Sequence, residues 1–314
     1  MAMSNRRFIL LFVIVLIVVS GLFCFGYFSR KVTHYTGDII LSGNDVLHLK
    51  NEDVYWVGAL DMSGNSVLIL DNAAIYNSDR NRRQNCYSSL RDNAKIILQN
   101  NSTIDHFMWG LALYDDASIF ITDSTLKLGL ILGSNGTSAH IVNSNLVSAS
   151  SDVGGDFLMV NSTVMSLTFQ GSSARIVNSR IENGLTVSSS DYPVCVDLVN
   201  STYGMPINEA YTVEYFRQGV ICVYWFLGVE VVSDVGVSLS GVDVQIYSSD
   251  GALVAQQTTS KNGNTQFELL TLEISKHGET FHGNYIIKVT CDQTQIQETI
   301  NLETSTQKTI TIQK

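Results

Sequence analysis

Eight times along this chain an apolar residue, a spacer, a second apolar residue, another spacer and an Asn or Asp recur, with a further apolar residue close behind. The copies read Leu47, Leu49, Asn51, Val54; Val67, Ile69, Asp71, Ile75; Ile96, Leu98, Asn100, Ile104; and Ile119, Ile121, Asp123, Leu126. They continue as Ala139, Ile141, Asn143, Leu146; Phe157, Met159, Asn161, Val164; Ala174, Ile176, Asn178, Ile181; and Val196, Leu198, Asn200, Tyr203. The copies at Asp71 and Asn100 carry one extra residue before the last apolar position. Successive Asn/Asp positions lie 20, 29, 23, 20, 18, 17 and 22 residues apart, a mean period of about 21 and shorter than helical solenoid repeats.

The spacing of two between apolar residues is that of a strand, because alternate residues of a strand share a face. A coil of this length, turned by Asn, Ser and Gly, is the rung of a parallel β-helix, and each rung buries its inward residues only against its neighbours. Asn/Asp-Ser pairs recur at 123–124, 143–144, 161–162, 178–179 and 200–201. Asn and Asp tolerate the left-handed backbone region and bond nearby backbone, so stacking them gives a polar ladder at one corner. Six of the eight column members are Asn, which leaves too few acids for a row of Ca²⁺ sites.

From about Val220 the repeat stops. Val220 to Val232 reads as one buried strand, too short to span a membrane. Asp250-Gly251 lies between the apolar alternations of Val244–Tyr247 and Leu253–Gln256, and Asn262-Gly263 precedes Thr265–Leu270. Such pairs mark tight hairpins. Further strands are expected at 284–291, 295–302 and 308–313. About seven strands in this stretch point to an Ig-like two-sheet sandwich.

On these residues two resemblances stand. The Ile/Val-x-Asn-Ser pattern of residues 38–205 resembles right-handed parallel β-helix proteins of the pectate-lyase-like superfamily, in the variety common on archaeal cell surfaces. Residues 220–314, with Gly241–Ile246, Asp250-Gly251, Thr258 and Asn262-Gly263, look like the carboxypeptidase-regulatory-like, transthyretin-type domain. The first resemblance implies a fold more than an activity. The second implies a spacer or adhesion module without catalysis. The expected fold is all-β: a right-handed parallel β-helix over 38–205, a linker at 206–219 and the sandwich over 220–314, preceded by an N-terminal transmembrane anchor with flanks at 1–31.

That anchor is expected because Phe8 to Phe28 carries no charge, and about 20 apolar residues cross a hydrocarbon core. The apolar run continues through Leu22, Phe23, Cys24, Phe25 and Tyr27 with no small-x-small cleavage site, unlike a signal peptide. Arg6 and Arg7 on one side balance Arg30 and Lys31 on the other, so flanking charge does not orient it. The sequons at Asn100, Asn101, Asn135, Asn161 and Asn200 all follow it and are candidates for N-glycosylation. The bulk of the chain is therefore expected outside a single-pass cell membrane protein with a cytoplasmic N-terminus. Beyond residue 31 stand 15 of the 19 basic residues and all 29 acids, a net charge of −14. A surface of that sign disfavours nucleic acid.

Polysaccharide cleavage on β-helices needs clustered carboxylates or a carboxylate with a base on neighbouring rungs. The candidates are Asp105 with His106, and Tyr114 with Asp115 and Asp116. The insertion from Tyr76 to Asp92 departs from the repeat and gathers charge: Tyr76, Arg80, Arg82, Arg83, Tyr87 and Arg91 form a candidate binding set for an anionic glycan or a neighbouring surface protein. Cys24, Cys86, Cys195, Cys222 and Cys291 have no CxxC or Cys/His spacing, so no metal ligands and no cofactor are expected. The four cysteines beyond the anchor are compatible with up to two disulfides or with buried thiols. Three functions follow: a non-catalytic structural or adhesion rod, a carbohydrate-binding surface protein using residues 76–92, and a membrane-tethered polysaccharide lyase or hydrolase. The first is the reading the sequence favours.

Overall fold

The structure is a computed structural model that describes residues 30–77, 88–105, 110–151, 154–188, 194–204 and 219–313. The expected anchor at 8–28 lies outside these residues. No helix among the described residues is long and apolar enough to cross a membrane.

The repeat folds as a parallel β-helix of about 8 turns. One side is a ladder of strands, each hydrogen-bonded in parallel to the next: Val46–Lys50, Val67–Asp71, Lys95–Gln99, Ser118–Thr122, Ser138–Val142, Asp156–Val160, Ala174–Val177 and Val194–Val199. On the other side the early coils carry two short strands each, such as Glu52–Val57 with Leu60–Met62 and Thr103–Asp105 with Leu111–Leu113. From Thr125–Leu132 onward the two fuse into single strands, and a register shift between Leu126 and Gly129 marks the seam. Coil length follows from this change, since a coil with one continuous strand needs no corner between two.

The repeat pattern sets the interior. Ile96, Leu98, Ile119, Ile121, Ala139, Ile141, Phe157, Met159, Ile176, Val196 and Leu198 are fully buried, stacked rung on rung. Inside, Phe157 meets Phe169 edge-on at 5.3 Å. Each of these side chains larger than alanine contributes about 1.5–3 kcal/mol when removed from water.

In the second coil the register differs from expectation. Leu68 and Leu70 face inward, Val67 and Ile69 outward, and the corner residue is Asn72 rather than Asp71. Val67 to Leu70 are four consecutive apolar residues, so a period of two fits either register. Placing Asn72 at the corner restores the two-residue gap before Ile75. Only the third coil holds an extra residue, absorbed where Asn100 and Asn101 both turn left-handed, at φ 57° and 60°.

Asn51, Asn72, Asp123, Asn143, Asn161, Asn178 and Asn200 all hold positive φ at that corner. Amide-to-oxygen bonds of 2.7 Å join Asn72 to Asn51, Asn100 to Asp71 and Asn200 to Asn178, and one of 3.0 Å joins Asn143 to Asp123. Beneath this exposed column runs a buried one of serines. The backbone N–H groups of Ser102, Ser124, Ser144, Ser162 and Ser179 donate to the hydroxyls of Ser124, Ser144, Ser162, Ser179 and Ser201, at 3.0–3.2 Å. Each of these hydroxyls in turn donates to a nearby carbonyl, as Ser144 does to Val142 at 2.6 Å. Buried polar groups are thereby paired at every step.

The strand Gly219–Ser233 ends the β-helix and begins the next unit. Its first residues pair in parallel with Val194–Val199, and its later ones, Leu227 to Ser233, pair in parallel with Thr306–Ile312. Asn264–Ser275 runs antiparallel along nearly all of it. Ile221 and Val223 accordingly belong to the β-helix core, while Leu227, Val229 and Val231 belong to a second core. A facing sheet of Asp243–Ser248, Leu253–Thr258, Asn284–Cys291 and Thr294–Asn301 closes that core with Val244, Ile246, Tyr285, Ile287 and Val289. The Asn262-Gly263 turn needs its glycine: φ is 72°, and a Cβ there would stand 2.8 Å from the Val231 carbonyl oxygen.

Candidate functional site

Of the expected binding set, Tyr76 and Arg91 are described, and Arg80, Arg82, Arg83 and Tyr87 lie outside the described residues. Tyr76 is the third residue of the strand Ala74–Asn77, facing outward, and continues a ring stack: His34 on Tyr55 at 5.3 Å, then Tyr55 on Tyr76 at 5.3 Å. In-register pairing of Lys31–Thr36, Glu52–Val57 and Ala74–Asn77 places the three rings above one another. Burial, and then the Asp53 carboxylate, push the Tyr76 phenol above its usual range. Arg91 follows the strand Ser88–Leu90 on the other branch of the same sheet, with its guanidinium 5.8 Å from the Tyr114 ring. The two residues thus stand at opposite ends of the segment and on separate branches.

Two of the candidate carboxylates, those of Asp105 and Asp115, are used by the frame. Asp105 is paired with Lys127 of the next coil at 2.9 Å. Asp115 holds φ at 57° in the turn and accepts a 3.1 Å hydrogen bond from the Asp92 backbone. Asp116 sits beside it, its backbone N–H donating to the Asp92 carbonyl at 2.9 Å. His106 lies outside the described residues. Among the described residues these acids do not gather with His, Cys or one another into a set of three.

The sequons fall on the corners. Asn100, Asn101 and Asn161 are exposed and Asn200 half-buried on the left-handed column, while Asn135 is exposed in a turn at another corner. Ser102, the hydroxyl residue of the Asn100 sequon, and Ser162 and Ser201, the middle residues of the Asn161 and Asn200 sequons, are rungs of the buried ladder. The side-chain amides of Asn100 and Asn200 already donate within the corner column.

One cluster escaped the spacing rules. On the outer face of the last coil Cys195 Sγ stands 3.7 Å from Cys222 Sγ and 3.5 Å from Asp197 Oδ1. It is the one group of three His, Cys, Asp or Glu among the described residues whose donor atoms lie within 4.8 Å of one another. Arg175 reaches Asp197 Oδ2 at 3.5 Å and Glu268 at 2.7 Å. Cys195, Cys222 and Cys291 are free thiols. The hydrogen bond from Cys195 favours the Cys222 thiolate and holds its pKa down, while the same bond, with burial, pushes Cys195 up. Burial and the Asp197 charge raise the Tyr224 phenol beside them. Sequence separation hid this group: Cys195 and Cys222 meet only because Val196 pairs with Ile221 and Asp197 with Cys222.

Neither protein-family models nor curated proteins match this sequence. Its parallel β-helix rests on the structure itself.

Proposed function

We propose that this protein is a non-catalytic structural or adhesion component that presents a β-helical rod at the cell surface. In this reading residues 8–28 form the single-pass anchor, with the N-terminus cytoplasmic and the acidic remainder outside. The observation that carries the non-catalytic part is the fate of the candidate acids: Asp105 is neutralised by Lys127, and Asp115 serves a backbone amide. A solenoid whose outward polar groups bind its own next coil is suited to stiffness rather than turnover. The strand Gly219–Ser233, common to both cores, adds to that stiffness. On the same reading the β-helix is right-handed and akin to the pectate-lyase-like superfamily, and the C-terminal unit is an Ig-like, carboxypeptidase-regulatory-like spacer.

The test uses whole cells and the full chain. Protease added outside should remove the β exterior, and alkaline carbonate should leave the protein in the membrane. Protection from protease, or release by carbonate, would sink the reading. Unsaturated or reducing ends released from polysaccharide, and lost in Asp115→Ala with Asp116→Ala, would replace it with the lyase or hydrolase.

A second reading, carbohydrate binding, is favoured by the outward stack His34–Tyr55–Tyr76, which ends where the Arg-bearing segment begins. The inner ring faces are already covered by one another, so a glycan would meet the stack edges and the Arg side chains. A glycan array on the intact protein showing no binding removes that role.

A further inference from the structure

We propose that Cys195, Asp197 and Cys222 form a Zn²⁺ site that clamps the last coil of the β-helix to the strand shared with the second core. This goes beyond the surface role and does not depend on it.

The first support is the geometry of the two sulfurs. Thiolates bound about 2.3 Å from a tetrahedral Zn²⁺ stand about 3.8 Å from each other, and the sulfurs here are 3.7 Å apart. The third ligand is at hand: Asp197 Oδ1 lies 3.5 Å from Cys195 Sγ, and all three donor atoms fit within 4.8 Å. Two thiolates and a carboxylate are a donor set that Zn²⁺ accepts, with water in the fourth place.

A disulfide is the competing use of two neighbouring thiols, and the register opposes it. Cys195 pairs with Val220 and Cys222 with Asp197, so the cysteines stand diagonally, two residues out of step. With strands about 4.8 Å apart and a rise of about 3.3 Å per residue, the two Cα atoms are about 8 Å apart. Bridging them covalently requires backbone movement once the separation exceeds about 7 Å. A metal ion spans the gap without it.

The surroundings complete the argument. Asp197 turns Oδ1 to the thiols while Oδ2 faces Arg175, which Glu268 holds with two 2.7 Å hydrogen bonds. Outer partners of this kind fix a ligand's orientation. Tyr224 follows two residues after Cys222 on the same strand, and Cys222 itself is buried. On binding, the two thiol protons leave to solvent and the site becomes Zn²⁺ with two thiolates and one carboxylate, a net charge of −1.

The full chain, purified with a reductant, is titrated with Zn²⁺ against a chromophoric chelator, and with Co²⁺ to read thiolate-to-metal charge transfer. One Zn²⁺ per chain is expected, lost in Cys195→Ser and in Cys222→Ser and kept in Cys291→Ser. Because the cysteine variants remove a buried and a half-buried group, Asp197→Asn and Arg175→Ala carry the same test: each should weaken binding roughly tenfold or more while the far-ultraviolet spectrum holds. Arg175 acts as a positioning residue, so Arg175→Ala should keep the charge-transfer band at saturating metal. Failure of the full chain to bind Zn²⁺ overturns the proposal, as does binding that persists in the Cys195→Ser, Cys222→Ser double variant. Peptide mapping that finds Cys195 linked to Cys222 in protein isolated without reductant overturns it too.

Discussion

Arg175 and Glu268 are 93 residues apart in sequence, yet the guanidinium of one donates to both carboxylate oxygens of the other at 2.7 Å. Arg175 lies on a β-helix strand and Glu268 on the strand Asn264–Ser275 that runs along the shared strand. The hydrogen bond and the Glu268 charge raise the Arg175 pKa further. Both side chains are partly in water, at 43% and 32% of full exposure, so solvent screens the pair despite its geometry. A double-mutant cycle of Arg175→Ala with Glu268→Ala should give a coupling of about 1 kcal/mol or less in urea unfolding, shrinking as NaCl rises. Coupling that is indifferent to salt would show that packing, not charge, joins the two residues.

The buried serine ladder makes a sharper claim. In Ser144→Ala the Ser124 amide loses its acceptor, 3.1 Å away, and the Val142 carbonyl loses a donor. An unsatisfied buried group costs about 1–3 kcal/mol, so this variant should lower the unfolding free energy by that amount, although it removes a single oxygen atom. A neutral result would mean that water reaches the ladder.

Much of this corner could be read from the chain. The alternation of apolar residues names the inward faces, and the Asn/Asp column names the turns, because both follow from local chemistry that repeats. The second coil was ambiguous for a local reason too: Val67 to Leu70 offer no polar residue to fix which face is wet. The shared strand was legible only as a strand. Val220 to Val229 is apolar but for Gly228 because the strand borders two cores, and nothing in it marks where one ends. The Cys195–Asp197–Cys222 cluster was illegible, since it depends on the pairing register of the last coil and not on spacing along the chain.

The left-handed corner gives a test that separates backbone strain from side-chain bonding. Asn178 holds φ at 49°, and its Oδ1 accepts the Asn200 amide at 2.7 Å. Asn178→Gly and Asn178→Val both delete that bond, but only valine carries a Cβ into the left-handed region, at about 1–2 kcal/mol. Asn178→Val should therefore be less stable than Asn178→Gly by about that amount. Equal stability would mean that the corner relaxes to another conformation.

Asp71 gives the pH dependence. The Asn100 amide, 2.7 Å away, and then Lys50 and His48 hold its carboxyl below the ordinary 3.8. A carboxyl whose pKa is lower in the folded protein contributes stability above its unfolded value, and loses it as pH falls through the folded one. Between neutral pH and pH of about 2, the early coils should lose more stability in the natural protein than in Asp71→Asn. Parallel acid profiles for the two proteins would remove Asp71 from that account.

The shared strand predicts how the molecule comes apart. Ile221 is fully buried in the β-helix core and Leu227, on the same strand, is fully buried in the second core. Truncating either leaves a cavity worth about 2–5 kcal/mol. In a protein whose units hang on a mobile linker, Leu227→Ala would lower one thermal transition and leave the other in place. Here Gly219–Ser233 is hydrogen-bonded to the last coil through Val194–Val199 and to the second unit through Thr306–Ile312 within one continuous sheet, so neither core can melt without freeing the strand that borders the other. Calorimetry should show Ile221→Ala and Leu227→Ala each shifting one and the same transition downward. Two separated transitions, with Leu227→Ala moving a single one, would mean that the strand divides functionally near the register shift between Val223 and Tyr224.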